Sequence, residues 1–192
     1  HREIYTRELL SAEEADRSAI LLNATYDKSE RSDWEKWVAC DSFGKMSSRA
    51  SADFIPAFLR ISGCGEEEVL SGQWNPDPEL LDVLGETEHL RWCAFHYVMG
   101  YSPMSQEEYD RNAAEYLRCR DAGIAFRGKI GRNLRARTHA CLIPWEELDE
   151  LSEWEFQVTG KRTDYKASDL DNVLMVPDML REEAKLCREG DS

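Results

Sequence analysis

No run of about 18 apolar residues occurs in this chain, so no segment is long and apolar enough to cross a bilayer as a helix. Clustered cysteine is missing as well. Cys40, Cys64, Cys93, Cys119, Cys141 and Cys187 are scattered, without a Cys-x-x-Cys pair. Metal sites want clustered ligands, and disulfide scaffolds are usually shorter and denser in cysteine. The expectation is reduced thiols, a cytoplasmic setting, no metal and no cofactor. Histidine is scarce, with only His1, His89, His96 and His139. Gly-x-Ser-x-Gly, His-Glu-x-x-His and EF-hand loops are absent from the sequence. No nucleophile–base pair is marked, and the chain reads as not an enzyme. Positive charge is also short: 24 Lys and Arg face 38 Asp and Glu, for a formal net charge of −14. That balance is wrong for neutralising nucleic-acid phosphates. The segment is expected to contact neither nucleic acid nor membrane.

What is present is a repeat. Phe54-Ile55-Pro56-Ala57-Phe58-Leu59-Arg60 returns as Met175-Val176-Pro177-Asp178-Met179-Leu180-Arg181, with Pro and Arg kept. Trp34-Glu35-Lys36-Trp37 precedes the first copy, and Trp145-Glu146-Glu147-Leu148 precedes the second. Ser47 and Ser168 hold matching places before each terminal helix. Two diverged copies of one motif predict a pseudo-two-fold arrangement of helical halves. With 192 residues, 42% of them hydrophobic, the halves can pack as one globular unit around a real core. Residues 1–63 form the first half, 64–77 a linker and 78–192 the second half. The start on His1-Arg2-Glu3-Ile4, without a signal-like stretch, suggests a piece of a longer protein.

Local patterns place the elements. Ile4, Leu9, Ala12, Ala15, Ala19 and Leu22 predict a helix over residues 1 to about 26. Ser47 or Ser48 can cap a helix in which Pro56 marks either a bend or the true start. Gly63-Cys64-Gly65 should end it. Asp77-Pro78 opens the strongest predicted helix, which Gly100 closes. Ser105-Gln106-Glu107-Glu108 reads as a capping box for a helix to about Arg120. The Gly- and Arg-rich residues 121–140 predict loop or strand, Trp145–Val158 a short helix, and Ser168 the cap of a last helix to about Leu186.

Three features could carry chemistry. Glu88, His89 and Arg91 interrupt an otherwise apolar helix, and a buried carboxylate needs a partner or a proton. They form either a satisfied buried network or a ligand-facing group, with acid–base work a third reading. Between Arg118 and His139 lie Arg118, Arg120, Arg127, Lys129, Arg132, Arg135 and Arg137, against the single acid Asp121. This block either pairs with the protein's own acidic surface or grips an anion, since guanidinium holds phosphate in a bidentate way. Its glycines, Gly123, Gly128 and Gly131, are not spaced as a P-loop. The tryptophans are core residues or, lining a cleft, stacking surfaces for a flat ring.

Glu88-His89-Leu90-Arg91-Trp92, then Gly100-Tyr101, then His139-Ala140-Cys141-Leu142-Ile143-Pro144-Trp145-Glu146-Glu147-Leu148 resembles the RyR domain. This is the repeat first described in ryanodine receptors and found in many bacterial proteins. The resemblance covers residues 78 to about 186. Tyr101 stands where the family usually has Trp and Ala140 where it has Pro, and the stretches 102–138 and 149–168 are longer. The first half resembles the degenerate segment that precedes the domain in bacterial members, often after a Rossmann-like TrkA-N domain. Such a domain would be the upstream partner. The resemblance implies a mainly α module with short antiparallel strands, used for regulation or ligand sensing rather than catalysis. Adenine-nucleotide binding has been attributed to domains of this kind.

Together these features predict a non-enzymatic sensor for a nucleotide or another phosphorylated small molecule. Arg91, Arg135 and Arg137 would contact the anion, Trp34 or Trp145 would stack, and His89 and His139 would give polar orientation. Glu88, Trp92 and Arg49 complete the expected ligand-binding set. The alternative is a protein–protein or interdomain adaptor without a small-molecule ligand.

Overall fold

The computed structural model describes residues 16–189, and it is mainly helical with one small three-stranded sheet. Two compact units make up the chain. One takes the residues up to Glu88 together with those from Leu170 onward, and the other runs His89–Asp169. The divisions thus fall inside helices, at residues 88/89 and 169/170, and not in the 64–77 stretch. Both copies of the repeated heptapeptide belong to the first unit.

In the first unit, helix α1 (Arg17–Tyr26) is the described part of the helix expected over 1–26; the earlier residues lie outside the described range. It buries Ser18, Ala19, Leu22 and Asn23, a stripe of helical period, and packs against α2 (Asp33–Ala39), α3 (Ser42–Ala52) and α10 (Val176–Glu189). Ser32 and Glu35 cap α2 reciprocally. Asp41 caps α3 by accepting from the Gly44 N–H at 2.7 Å. Ser47 and Ser48 lie inside that helix and are not its caps. The reason is geometric, since the first turn needs its acceptor one residue before Ser42.

Pro56 is the second residue of α4 (Ile55–Ser62), a true start and not a bend. Gly63 ends α4 in the left-handed region at φ 66°, where a side chain would be strained. The expected linker holds a further short helix, α5 (Glu66–Leu70), seated by the buried Val69. The last helix expected from Asp169 to about Leu186 is two helices, α9 (Tyr165–Leu174) and α10. Pro177 has no N–H to continue the ladder, so the chain restarts at Val176. Asp164, not Ser168, caps α9 by accepting from the Ala167 N–H at 2.9 Å. The two heptapeptides bury equivalent positions: Ile55, Phe58 and Leu59 in α4, and Val176, Met179 and Leu180 in α10. All six join one core with Leu22, Val69, Leu84 and Val173.

Helix α6 (Pro78–Val98) starts on Asp77, whose carboxylate accepts from the Leu80 N–H at 2.8 Å. It ends at Gly100, φ 80°, where the Tyr101 N–H reaches back to the His96 carbonyl at 2.9 Å. From His89 onward it belongs to the second unit. There follow β1 (Ser102–Pro103), α7 (Gln106–Asp121), β2 (Arg132–Asn133), β3 (Thr138–His139), a 3-10 turn (Trp145–Glu147) and α8 (Leu148–Thr159). The sheet order is β1-β3-β2. β3 pairs antiparallel with β2 but parallel with β1, so the sheet is mixed rather than antiparallel. Ser105 caps α7, accepting from the Glu108 N–H at 3.2 Å. Glu108 does not close the expected capping box. Its carboxylate instead accepts from Asn133 at 2.7 Å and Thr138 at 3.0 Å, tying both hairpin strands to the first turn of α7. Tyr109, Ala113, Ile130 and Ala140 form the small core of this unit.

Candidate functional site

Neighbouring residues on α6 serve different networks. The Glu88 carboxyl is fully buried in the first unit and accepts from the Ser51 hydroxyl and the Asn172 amide, each at 3.1 Å. His89, 2% exposed, belongs to the second. Its Nδ1 lies 3.1 Å from Asp169 Oδ2 and its Nε2 2.8 Å from the Ile143 carbonyl oxygen. Two acceptors, one at each nitrogen, make both nitrogens donors, so the ring is an imidazolium. Burial pulls its pKa down. The Asp169 bond, with Cys93 and the Ile143 carbonyl, more than reverses this and lifts it from 6.5 to about 10.

Trp92 extends this centre into an aromatic stack. Its ring lies parallel to His89 at 6.0 Å, against His96 at 3.8 Å, and takes the edge of His139 at 4.9 Å. Trp145, buried, packs on His89 at 5.9 Å, with the Lys166 ammonium 5.1 Å from its ring. His139 Nδ1 accepts from the Cys141 N–H at 3.1 Å. Burial, then His96, Arg132 and Lys129, hold its pKa down to about 3. His96 is lowered also, first by burial, despite its bond to the Trp92 carbonyl, and further by Arg91 and Arg132. One unit thus keeps one histidine charged and two neutral.

The basic block resolves into separate tasks. Arg118 pairs with Glu115 at 2.6 Å and Arg120 with Asp121 at 2.9 Å, both on the surface. Arg137 donates to the Met99 carbonyl at 3.1 Å, covering the end of α6, and holds a left-handed φ of 56°. Among the described residues, Arg127, Lys129 and Arg132 have no carboxylate within ion-pair distance. They line a cleft of about 450 Å³ with Asn112, Asn133 and Leu134. A second cleft of about 340 Å³ shares Phe126, Gly128, Lys129 and Arg132 with it and adds Tyr116, His139, Glu155, Thr159, Thr163 and Tyr165. Tyr116 and Phe126 meet edge to face at 5.6 Å. A third hollow of about 250 Å³, lined by Tyr109, Trp154, Glu147 and Glu150 among others, carries no cation.

Among the ten residues expected from sequence, His89, Trp92, His139 and Trp145 come together, and of these only His139 lines a cleft with the free cations. Arg91 is buried and Arg135 is exposed. Glu88, Trp34 and Arg49 belong to the first unit. There Trp34 is 48% exposed, and Arg49 pairs with Asp16 and lies over the Trp37 ring at 5.4 Å. Sequence reasoning missed Asp169, Tyr116, Phe126, Glu155 and Tyr165. Phe126 alone left a signal, as the one aromatic in the Gly- and Arg-rich stretch. Among the described residues no group of three or more His, Cys, Asp or Glu side chains is placed to hold a metal ion, and no helix is long and apolar enough to cross a membrane. Compared with known proteins, the chain matches no family model, no curated protein and no solved structure.

Proposed function

We propose that the chain is a non-enzymatic, ligand-sensing regulatory module of the RyR-domain type, built on two diverged helical repeats, and that its ligand is a small anion such as a nucleotide. The observation that carries this reading is the set of Arg127, Lys129 and Arg132, unpaired among the described residues, in one cleft of a chain whose net charge is −14. Cations left without carboxylates in so acidic a protein are poised for an external anion. The volumes of about 340 and 450 Å³ lie in the range of small-molecule sites. The aromatic wall of Tyr116 and Phe126 suits a flat ring. A ligand that binds only the folded form raises the melting temperature by mass action. Pyrophosphate or a nucleotide at millimolar concentration should therefore shift the unfolding of the wild type, and the Lys129→Ala, Arg132→Ala double variant should lose that shift. No shift with either probe sinks the reading.

Leu90, Tyr97 and Val98 favour a second reading. They stand 60%, 50% and 85% exposed on α6, an apolar surface that an adaptor would cover. In that case Arg135→Ala with Arg137→Ala changes the molar mass seen by light scattering, and small anions bind nowhere.

A further inference from the structure

The hollow lined from the first turns of α7 and α8 has the opposite character to the two cationic clefts and shares no lining residue with them. Its wall is apolar and aromatic, from Met104, Tyr109, Ile143, Leu151 and Trp154. The Tyr109 and Trp154 rings lie 4.2 Å apart at 36°, so they present one broad π surface. The Tyr109 hydroxyl donates to Glu155 at 3.5 Å, which leaves the ring as what Tyr109 offers here. Glu147 and Glu150 are the only charged side chains in the lining. Both are exposed, and among the described residues neither carboxylate has a hydrogen bond or an ion pair. The cations that α8 does engage go elsewhere, Lys166 to Asp149 at 2.6 Å and Arg162 to Glu153 at 3.4 Å. Two like charges three residues apart repel across one helical turn, although the helix N-terminus favours each of them. A cation seated in the hollow relieves that repulsion and meets an electron-rich ring face.

The wall decides which cation fits. A bare ammonium is compact and strongly hydrated, and it needs acceptors to replace its water. Met104, Ile143 and Leu151 supply no oxygen for that. A quaternary nitrogen carries its charge on methyl groups, which donate no hydrogen bond and suit an aromatic wall. The exposed carboxylates act on it by charge alone. Size agrees. At about 250 Å³ the hollow falls short of the roughly 300 Å³ at which sites for whole drug-sized ligands begin, so it suits a head group. We propose that this hollow binds the trimethylammonium head of a small molecule such as choline. Tyr109 and Trp154 contact the methyls, and Glu147 and Glu150 balance the charge. This site is independent of the anion reading and stands or falls without it.

NMR titration of the full 192-residue chain with choline, set against two look-alikes, tests this. One is the neutral isostere with carbon in place of the quaternary nitrogen. The other is ethanolamine, which keeps the charge but bears no methyls. Choline should bind about tenfold more tightly than either, the scale of one partly desolvated cation–π contact. It should also move the Trp154 indole proton. Glu147→Gln with Glu150→Gln, on exposed side chains, should weaken choline by about tenfold and leave any pyrophosphate binding as it was. Equal affinities for choline and its isostere overturn the proposal, because charge is then not read. Ethanolamine binding as tightly as choline overturns it too, because the methyls then count for nothing. An unmoved Trp154 signal, or an unchanged choline Kd in the double variant, puts the cation elsewhere and has the same result. No choline binding at high millimolar concentration ends the proposal, whatever the anion probes show.

Discussion

Glu88 in the first unit and Asp169 in the second are buried carboxyl groups with different partners. Glu88 accepts from the neutral donors Ser51 and Asn172 beside a core of Leu, Ile, Val, Phe and Met. In the second, Asp169 faces a charged ring, His89, and the surrounding core is small and aromatic. Apolar burial is non-directional and indifferent to pH. A buried ion pair is directional, expensive to desolvate, and severe to break from one side. The large apolar core of the first unit therefore depends on volume, and the His89–Asp169 centre of the second on charge.

Removing volume should hurt the first unit most. Phe58→Ala, and to a similar degree Met179→Ala, should cost about 3–4 kcal/mol in denaturant unfolding, since each vacates a fully enclosed place in the repeated heptapeptide. Equal costs would show that the two copies do equal work in the core. A loss below about 1 kcal/mol at either position would break the comparison.

Removing charge should be felt in the second unit. Asp169→Asn leaves His89 buried without its counter-charge, at a cost of roughly 3 kcal/mol. The ring then gives up its proton, so its pKa by NMR should fall from about 10 to below the ordinary 6.5. A ring that stays charged in the variant would show that Ile143 and Cys93 suffice.

The pH profile sharpens the same point. The raised pKa of His89 contributes stability that is full below about 6.5 and lost as pH climbs through about 10. The depressed pKa of His139, about 3, contributes stability that is full above about 6.5 and lost as pH falls toward 3. Hydrogen-exchange protection of residues 89–169 should therefore peak near pH 6.5 once corrected for intrinsic exchange. Asp169→Asn should flatten the alkaline limb between about pH 6.5 and 9 and, with the His89 pKa now below 6.5, deepen the acid limb. A profile without either limb would mean that these rings titrate alike in folded and unfolded chains.

The smallest effect is expected at Arg137. Arg137→Ala removes the bond to the Met99 carbonyl and keeps a left-handed backbone, a loss of about 1 kcal/mol. Arg137→Gly loses the same bond but relieves the backbone, and should come out closer to neutral. The difference between the two in melting temperature measures the strain.

Several helix ends could be read from sequence because their signals are local. Asp77-Pro78, Gly63, Gly100 and Ser105 act within one turn of themselves, and each stands where its chemistry predicts. Helix α5 escaped notice because five residues with one buried side chain carry no period. Pro177 was visible as part of the repeat, but the continuous apolar pattern around it hid its effect on the last helix. At the candidate site the surplus of cations was legible, and so were the local partners of two of them, Glu115 three residues from Arg118 on one helix and Asp121 next to Arg120. That Arg127, Lys129 and Arg132 line one cleft is decided in three dimensions. The partners of His89 are out of reach for similar reasons, with Asp169 lying 80 residues along the chain.

The first unit is assembled from the two ends of the described chain, and this sets an order of events during synthesis. Val173, Val176, Met179 and Leu180 complete the core that Leu22, Ile55 and Phe58 begin. They leave the ribosome after the whole of His89–Asp169, a delay on the order of ten seconds at usual elongation rates. During that interval the early helices carry bare apolar faces, while the later-made unit already has all of its own residues. Timing in the cell thus runs against position in the sequence, and the segment that emerges first waits longest for its partner.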